Sequence, residues 1–251
     1  MREWVYGRNP VYEVLRARRR QVFRLRTAQG VQEKGRLADI LQLCSASKVP
    51  VERVSRRQLD SLAPNHQGVA LEVSSYEYTN LADFLDRAAI RKQPPFVLML
   101  DSLQDPQNLG TLLRTAEIVG VHGVLLPLRN TAAVTPAVVN SSSGASEHML
   151  IAQLNLAQAA VRLKDAGLWV YGLEDSPEAK TPDQLDLNGP IALVVGSEGE
   201  GLRPLVRSSC DVLMRLPVGG QIESFNASVA GSVALYLVWQ TRGFPGASIN
   251  H

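Results

Sequence analysis

The sequence predicts an α/β protein of two domains, and three observations predict it. Over residues 4–76, short helical and strand-like stretches alternate at the spacing of a small α/β domain. From Phe96 onward the strand candidates become fuller apolar runs separated by helical segments, the mark of a parallel sheet covered on both faces. Between these regions the helix-like stretch NLADFLDRAAIRKQ (80–93) and Pro94-Pro95 read as a linker and boundary. The expected division is therefore 1–76, a linker at 77–95, and 96–251.

The elements follow in order. Residues 4–17 place Val11, Val14 and Leu15 at helical spacing, with Pro10 near the start as a first-turn residue. VFRLRTA (22–28) alternates apolar and basic like a half-exposed strand. GRLADILQLCSASK (35–48) predicts a helix, PVERVS (50–55) a strand, RRQLDSLA (56–63) a short helix and GVALEVSSY (68–76) a last strand. In the larger region the strand candidates are FVLMLD (96–101), GVLLP (123–127), LWVYGL (168–173), IALVVG (191–196) and VLMRLP (212–217). Helices are expected around 109–120, 155–166 and 224–240.

Composition narrows the class. The 251 residues are 45% hydrophobic and 20% charged, ordinary for a soluble globular chain able to bury a sizeable core. No apolar run approaches the roughly 18 residues that span a bilayer, and the start, MREWVYGRNPVYEVL, lacks a secretory signal. Cys44 and Cys210 fit no metal spacing and read as reduced, buried thiols. The expectation is a cytoplasmic protein with neither membrane nor metal. The net charge of +2 conceals an asymmetry. Residues 1–92 carry 17 Lys and Arg against 10 Asp and Glu, whereas 93–251 carry 9 against 14. A basic N-terminal region suits a polyanion or is a solvated basic face; charge alone leaves both open.

Three apolar strands close with glycine and a few polar residues: LMLDSLQDPQNLGTLLRTAEIVGV (98–121), IALVVGSEGEGL (191–202) and MRLPVGGQIESFNASVAGSVALY (214–236). Such ends let backbone approach a ligand closely, and three of them suggest one pocket built from distant segments. The first strong strand carries no G-x-G-x-x-G turn. The later glycine loop 196–201 contains Glu198 and Glu200, which would repel a pyrophosphate but suit a cationic cofactor or a ribose.

Asn108-Leu109-Gly110 with Arg114, then Gly196-Ser197-Glu198-Gly199-Glu200-Gly201, then Ser224-Phe225-Asn226-Ala227-Ser228 resemble the three motifs of the SpoU (TrmH) branch of the SPOUT RNA 2′-O-ribose methyltransferases. Tyr6-Gly7 and His66-Gln67-Gly68 resemble the N-terminal segment of the bacterial 23S rRNA guanosine-2′-O-methyltransferases, so the likeness covers nearly the whole chain. It implies an L30e-like RNA-binding domain, a SPOUT domain with a deep trefoil knot, S-adenosylmethionine as cofactor, a homodimer, and 23S rRNA as the partner. The knot and the cofactor's identity come from the resemblance alone.

The resemblance also distributes roles. Gly196, Leu216 and Phe225 line the cofactor pocket; for the last two, plain core is the competing reading. Arg114 meets the methyl group and the target ribose. A guanidinium does not readily give up its proton, which makes it an oxyanion stabiliser and phosphate grip before a base. Asn108, placed just before a helix beginning near Leu109, serves as a cap, shapes the pocket, or does both. Glu198 orders the loops or touches ribose. Ser224 and Asn226 serve the catalytic centre or cap the last helix. Arg8, Arg18, Arg19 and Arg20 are candidates for phosphate contact, and His66 is the histidine best placed to meet RNA. Glu223 adds an acid beside the site. Other RNAs (a tRNA guanosine, an rRNA adenosine), a non-catalytic assembly factor and a small-molecule methyltransferase are the rival readings.

Overall fold

The structure, a computed structural model, describes residues 2–222 and 224–247; Glu223 lies outside them. It forms two units, one of residues up to Glu77 together with Ala133–His148, the other of Tyr78–Ala132 together with the chain from Met149.

The first unit contains β1 (Arg2–Tyr6), α1 (Arg8–Ala17), β2 (Val22–Ala28), α2 (Arg36–Ala46), β3 (Val51–Val54), α3 (Arg56–Asp60) and β4 (Val69–Ser74). Its sheet runs β1-β4-β2-β3, with β2 and β3 parallel and the other pairs antiparallel. The helix expected over 4–17 is in fact a strand and a helix. Trp4, Val5 and Tyr6 are good strand formers, the chain turns at Gly7 (φ 88°), and α1 then buries Pro10, Val11, Val14 and Leu15. A capping box, Ser55 with Gln58, starts α3.

The second unit opens with α4 (Leu81–Arg91), which buries Leu81, Phe84 and Ala88. The helix expected within 80–93 is present, and it packs into the core of this unit instead of standing apart as a linker; fully burying one Phe side chain contributes about 1.5–3 kcal/mol. After β5 (Phe96–Leu100), α5 (Pro106–Ile118) and β6 (Gly123–Leu126), the chain contributes α6 (Pro136–Ser141) and a 3₁₀ turn (Ala145–His148) to the first unit. Inside that unit, Glu147 receives two bonds from Arg20 (2.8 and 2.9 Å), and Asn140 donates to the Tyr6 carbonyl (3.1 Å). The polar run SSSGASEH gave no hint of this, so the structure divides the chain at 133–148 where the sequence reading did not. The second unit continues with β7 (Ile151–Gln153), α7 (Leu156–Asp165), β8 (Trp169–Leu173), β9 (Ile191–Val195), α8 (Pro204–Ser209), β10 (Val212–Met214) and α9 (Ala227–Thr241). All six strands are parallel, in the order β10-β8-β9-β5-β6-β7. The carboxyl ends of β10, β8, β9 and β5 therefore lie side by side, where open α/β sheets bind ligands.

At the other end of the sheet His122 is buried. Its Nδ1 accepts from the Phe96 N–H (3.0 Å), and Nε2 faces Gln93 Oε1 (3.2 Å). Burial, with the charges of Arg91, Arg242 and Arg87, pushes its pKa down to about 4. The unfolded chain, titrating near 6.5, binds the proton more readily. The stability held above pH 6.5 is therefore lost as pH falls through about 4. Denaturant unfolding at stepped pH should show His122→Gln losing up to about one proton of linkage between pH 6.5 and 4; an unchanged slope would refute this account. Cys44 is buried, whereas Cys210 is only half-buried, a departure from expectation; burial raises their thiols to about 11 and about 12.

Candidate active site

The three strand ends singled out in the sequence do not contribute equally to the cavity they were expected to build. A cavity of about 460 Å³ is lined by Leu173–Asp175, Val195–Gly201, Met214–Leu216, Val218, Ser224–Ala227 and Ala230. That size suits a small-molecule cofactor. It contains Gly196, Glu198, Leu216, Ser224, Phe225 and Asn226, but not Asn108 or Arg114.

The loop after β9 is a closed ring. Ser197 and Gly201 exchange both backbone hydrogen bonds, each 3.1 Å. A Cβ on Gly196 would lie 2.3 Å from the Gly201 carbonyl carbon and 2.7 Å from the Leu202 nitrogen, so only glycine fits at the ring's base.

Asn226 is the N-cap of α9. Its Oδ1 accepts from the Ser228 N–H (3.0 Å), the Val229 N–H (3.3 Å) and the Ser228 hydroxyl (2.7 Å), while Nδ2 donates to Glu198 (3.0 Å). One side chain therefore caps the helix and holds the tip of the glycine ring. Leu216 is half-buried, and Phe225 and Val218 are 44% and 43% exposed. These side chains form an incompletely covered apolar wall rather than core.

Carboxylates dominate the rim: Glu174 and Asp175 join Glu198 and Glu200, with Arg215 the cation among the lining residues. Glu174 is paired with Arg207 (2.7 Å). Glu174, Asp175, Arg215 and Val218 were not foreseen, although LWVYGLED closes a strand with two acids and LMRLPV continues one, a usable signal. A larger cavity, about 650 Å³, lies near His122 and Arg242. There Arg242 donates to the carbonyls of Pro94, Pro95, Leu187 and Gly189, which ties its guanidinium to the surrounding backbone. Among the described residues no cluster of His, Cys, Asp and Glu could hold a metal ion, and no described helix is long and apolar enough to cross a membrane.

The structure revises the region around Asn108. α5 begins at Pro106 and its cap is Asp105, whose side chain accepts from the Gln107 N–H (3.0 Å). Asn108 thus sits inside the first turn, not before the helix. Arg114 lies two turns into α5 on its exposed face, with Thr111 and Ile118.

Of the four N-terminal arginines, Arg20 is not available to RNA. It is 6% exposed, chelated by Glu147 and bonded to Glu3 (3.0 Å), so its charge is already spent. Arg19 is half-buried, donates to the Tyr76 hydroxyl (3.1 Å) and lies over that ring. Arg18 is exposed at the end of α1. Arg8 touches the other N-terminal motif: its backbone N–H reaches the Gln67 side chain (3.0 Å) and its Nε the Gln67 carbonyl (3.3 Å). His66 is 4% exposed, accepts from the Gly68 N–H (2.8 Å) and faces Asp60 (3.0 Å), so it holds a turn and does not present itself to RNA.

Comparison with known proteins agrees with this architecture. The family described as "SpoU rRNA Methylase family" matches residues 95–236, and "RNA 2'-O ribose methyltransferase substrate binding" matches 4–79. A TrmH family tRNA/rRNA methyltransferase of Bacillus subtilis, YacO, is 38% identical over 96% of this chain and 96% of its own. A protein of Mycolicibacterium vanbaalenii named "Uncharacterized tRNA/rRNA methyltransferase" is 42% identical over 96% of this chain and 77% of its own. Among solved structures, the SpoU methyltransferase AviRb of Streptomyces viridochromogenes, in complex with the cofactor AdoMet, superposes with a TM-score of 0.78. It is 20% identical, over 95% of this chain and 89% of that one. The family match over more than half of the chain, with a relative 38% identical across nearly its whole length, places this chain in the SpoU rRNA methylase family.

Proposed function

We propose that the protein transfers a methyl group from S-adenosylmethionine to the ribose 2′-hydroxyl of an RNA nucleotide, a guanosine of 23S rRNA being the favoured target. The carrying observation is the convergence of the 196–201 ring, residues 214–218 and the start of α9 on one cavity. The donor set fits the cofactor: an acidic rim suits a sulfonium and an ammonium, Leu216, Val218 and Phe225 suit an adenine face, and Gly196 admits close backbone approach. When bound, S-adenosylmethionine supplies an electrophilic methyl group. In this reading the loops after β9 and β10 form the crossings of the trefoil knot.

The chain's own residues supply alignment and charge management, and orientation alone contributes several kcal/mol. The glycine ring and Asn226 fix the cavity wall. Arg114 stabilises negative charge as the 2′-oxygen loses its proton. Arg8 and Arg18 grip phosphate, with the substrate-binding match over 4–79 in support. A second copy of the chain completes the site. Support comes from an exposed stripe on α5 and α9 that holds Arg114 together with Ile118, Val229, Val233 and Tyr236, an apolar face suited to a homodimer.

Calorimetry with S-adenosylmethionine should give saturable one-site binding per chain. Mapping of 2′-O-methyl groups on total RNA, with and without the gene, should lose one site in 23S rRNA. Absence of donor uptake overturns the cofactor assignment, whereas a lost site in tRNA overturns only the target.

A further inference from the structure

Asp101 follows β5, and its carboxylate is fully buried, yet no step above uses it. Its N–H donates to the Val195 carbonyl (2.7 Å), continuing the pairing of β5 with β9. Its Oδ2 accepts from the Arg203 backbone N–H (2.8 Å), and Oδ1 from Arg203 Nε (2.7 Å) and the Ser102 hydroxyl (3.4 Å). Arg203 is the residue that caps α8, two positions after the glycine ring closes at Gly201.

We propose that Asp101 is a positioning residue for the methyl-donor loop, acting through Arg203; this rests on assigning the 196–201 cavity to S-adenosylmethionine. The ring is rigid within itself, because Ser197 and Gly201 are tied. It can still pivot as a body about its two stems, Gly196 and Leu202–Arg203. The first stem is fixed by β9. The second is fixed by the two-point grip of Asp101 on Arg203, a charge-assisted pair whose acceptor cannot reach water. The Asn226–Glu198 bond then secures the tip, so base and tip are both held. Burying a carboxylate merely to join one loop to one strand is a poor route to stability, since an apolar pair often serves as well or better. The strap's geometric consequence is a fixed ring at the cavity wall.

The test uses the full chain and S-adenosylmethionine as the probe. Asp101→Asn keeps the shape but leaves one acceptor oxygen for two Arg203 donors and sets an amide N–H against the other, and should raise the donor Kd and KM by about 10- to 30-fold. The kcat at saturating donor should fall less than about threefold. Arg203→Ala, which leaves the backbone bond in place, should raise Kd by about fivefold, and Arg203→Lys should recover part of that loss. The double variant should bind no worse than Asp101→Asn, because both act through one strap. Wild-type Kd in Asp101→Asn, or a fall in kcat with KM unchanged, overturns the proposal. If Asp101→Asn does not fold, Arg203→Ala decides, and a wild-type Kd there overturns it. If the wild-type protein itself takes up no donor, the cofactor assignment fails separately. The strap is then read by amide hydrogen exchange at 197–202, which Arg203→Ala must accelerate.

Discussion

Gly196→Ala is expected to abolish measurable uptake of S-adenosylmethionine, raising its Kd at least about 100-fold. An added Cβ would stand 2.3 Å from the Gly201 carbonyl carbon, 2.4 Å from its oxygen and 2.7 Å from the Leu202 nitrogen. All three are backbone atoms, so no side-chain rotation relieves the clash. The ring must open or move outward, and with it go Glu198 and its bond to Asn226. Gly219→Ala is the control: a Cβ there meets nothing within 4 Å, and that residue has no left-handed φ. Calorimetry should find Gly219→Ala within twofold of wild type. If Gly196→Ala binds donor normally with an unchanged circular dichroism spectrum, the cavity is not the donor site.

Arg114→Ala is expected to lower kcat by about 10³ while leaving donor Kd within about threefold, the size of effect seen when one oxyanion donor is removed. Arg114 is absent from the residues lining the donor cavity, so its loss should spare binding. Arg114→Lys should recover little, because an ammonium cannot reproduce the planar fork. A mixing experiment tests the two-copy site. Combining Arg114→Ala with Gly196→Ala protein should restore activity if one copy's ring faces the other copy's arginine, since one site in each mixed dimer is then intact. More than a tenth of wild-type kcat in Arg114→Ala removes the residue from the chemistry, and failure of mixing to restore activity removes the shared site.

How much of this was legible depended on how local the cause was. The amphipathic spacing of Val11, Val14 and Leu15 marked α1, but β1 stayed hidden because only Gly7 separates it from the helix. The strands over 96–100 and 191–195 were visible as unbroken apolar runs, whereas β7, three residues long, and the short helices α6 and α8 were not. Asn226 was expected either to cap the last helix or to serve the catalytic centre; it caps α9 and also bonds Glu198, a contact no local pattern showed. Arg20 was read as a phosphate contact because its charge is obvious in sequence, while its neutralising partner, Glu147, lies 127 residues away.

By itself, the sequence determined the α/β alternation, the order of the three glycine-bearing motifs and the need for glycine and polar residues at particular strand ends. Those features follow from backbone sterics and from spacings of a few residues. Only the tertiary structure decided that residues 133–148 fold with the N-terminal unit, that the helix Leu81–Arg91 buries one face in the core, and that Asp101 grips Arg203. Each of these rests on burial against a partner far away in the chain. Burial is what turns an exposed-looking charge into a fixed strap, and no local pattern encodes it.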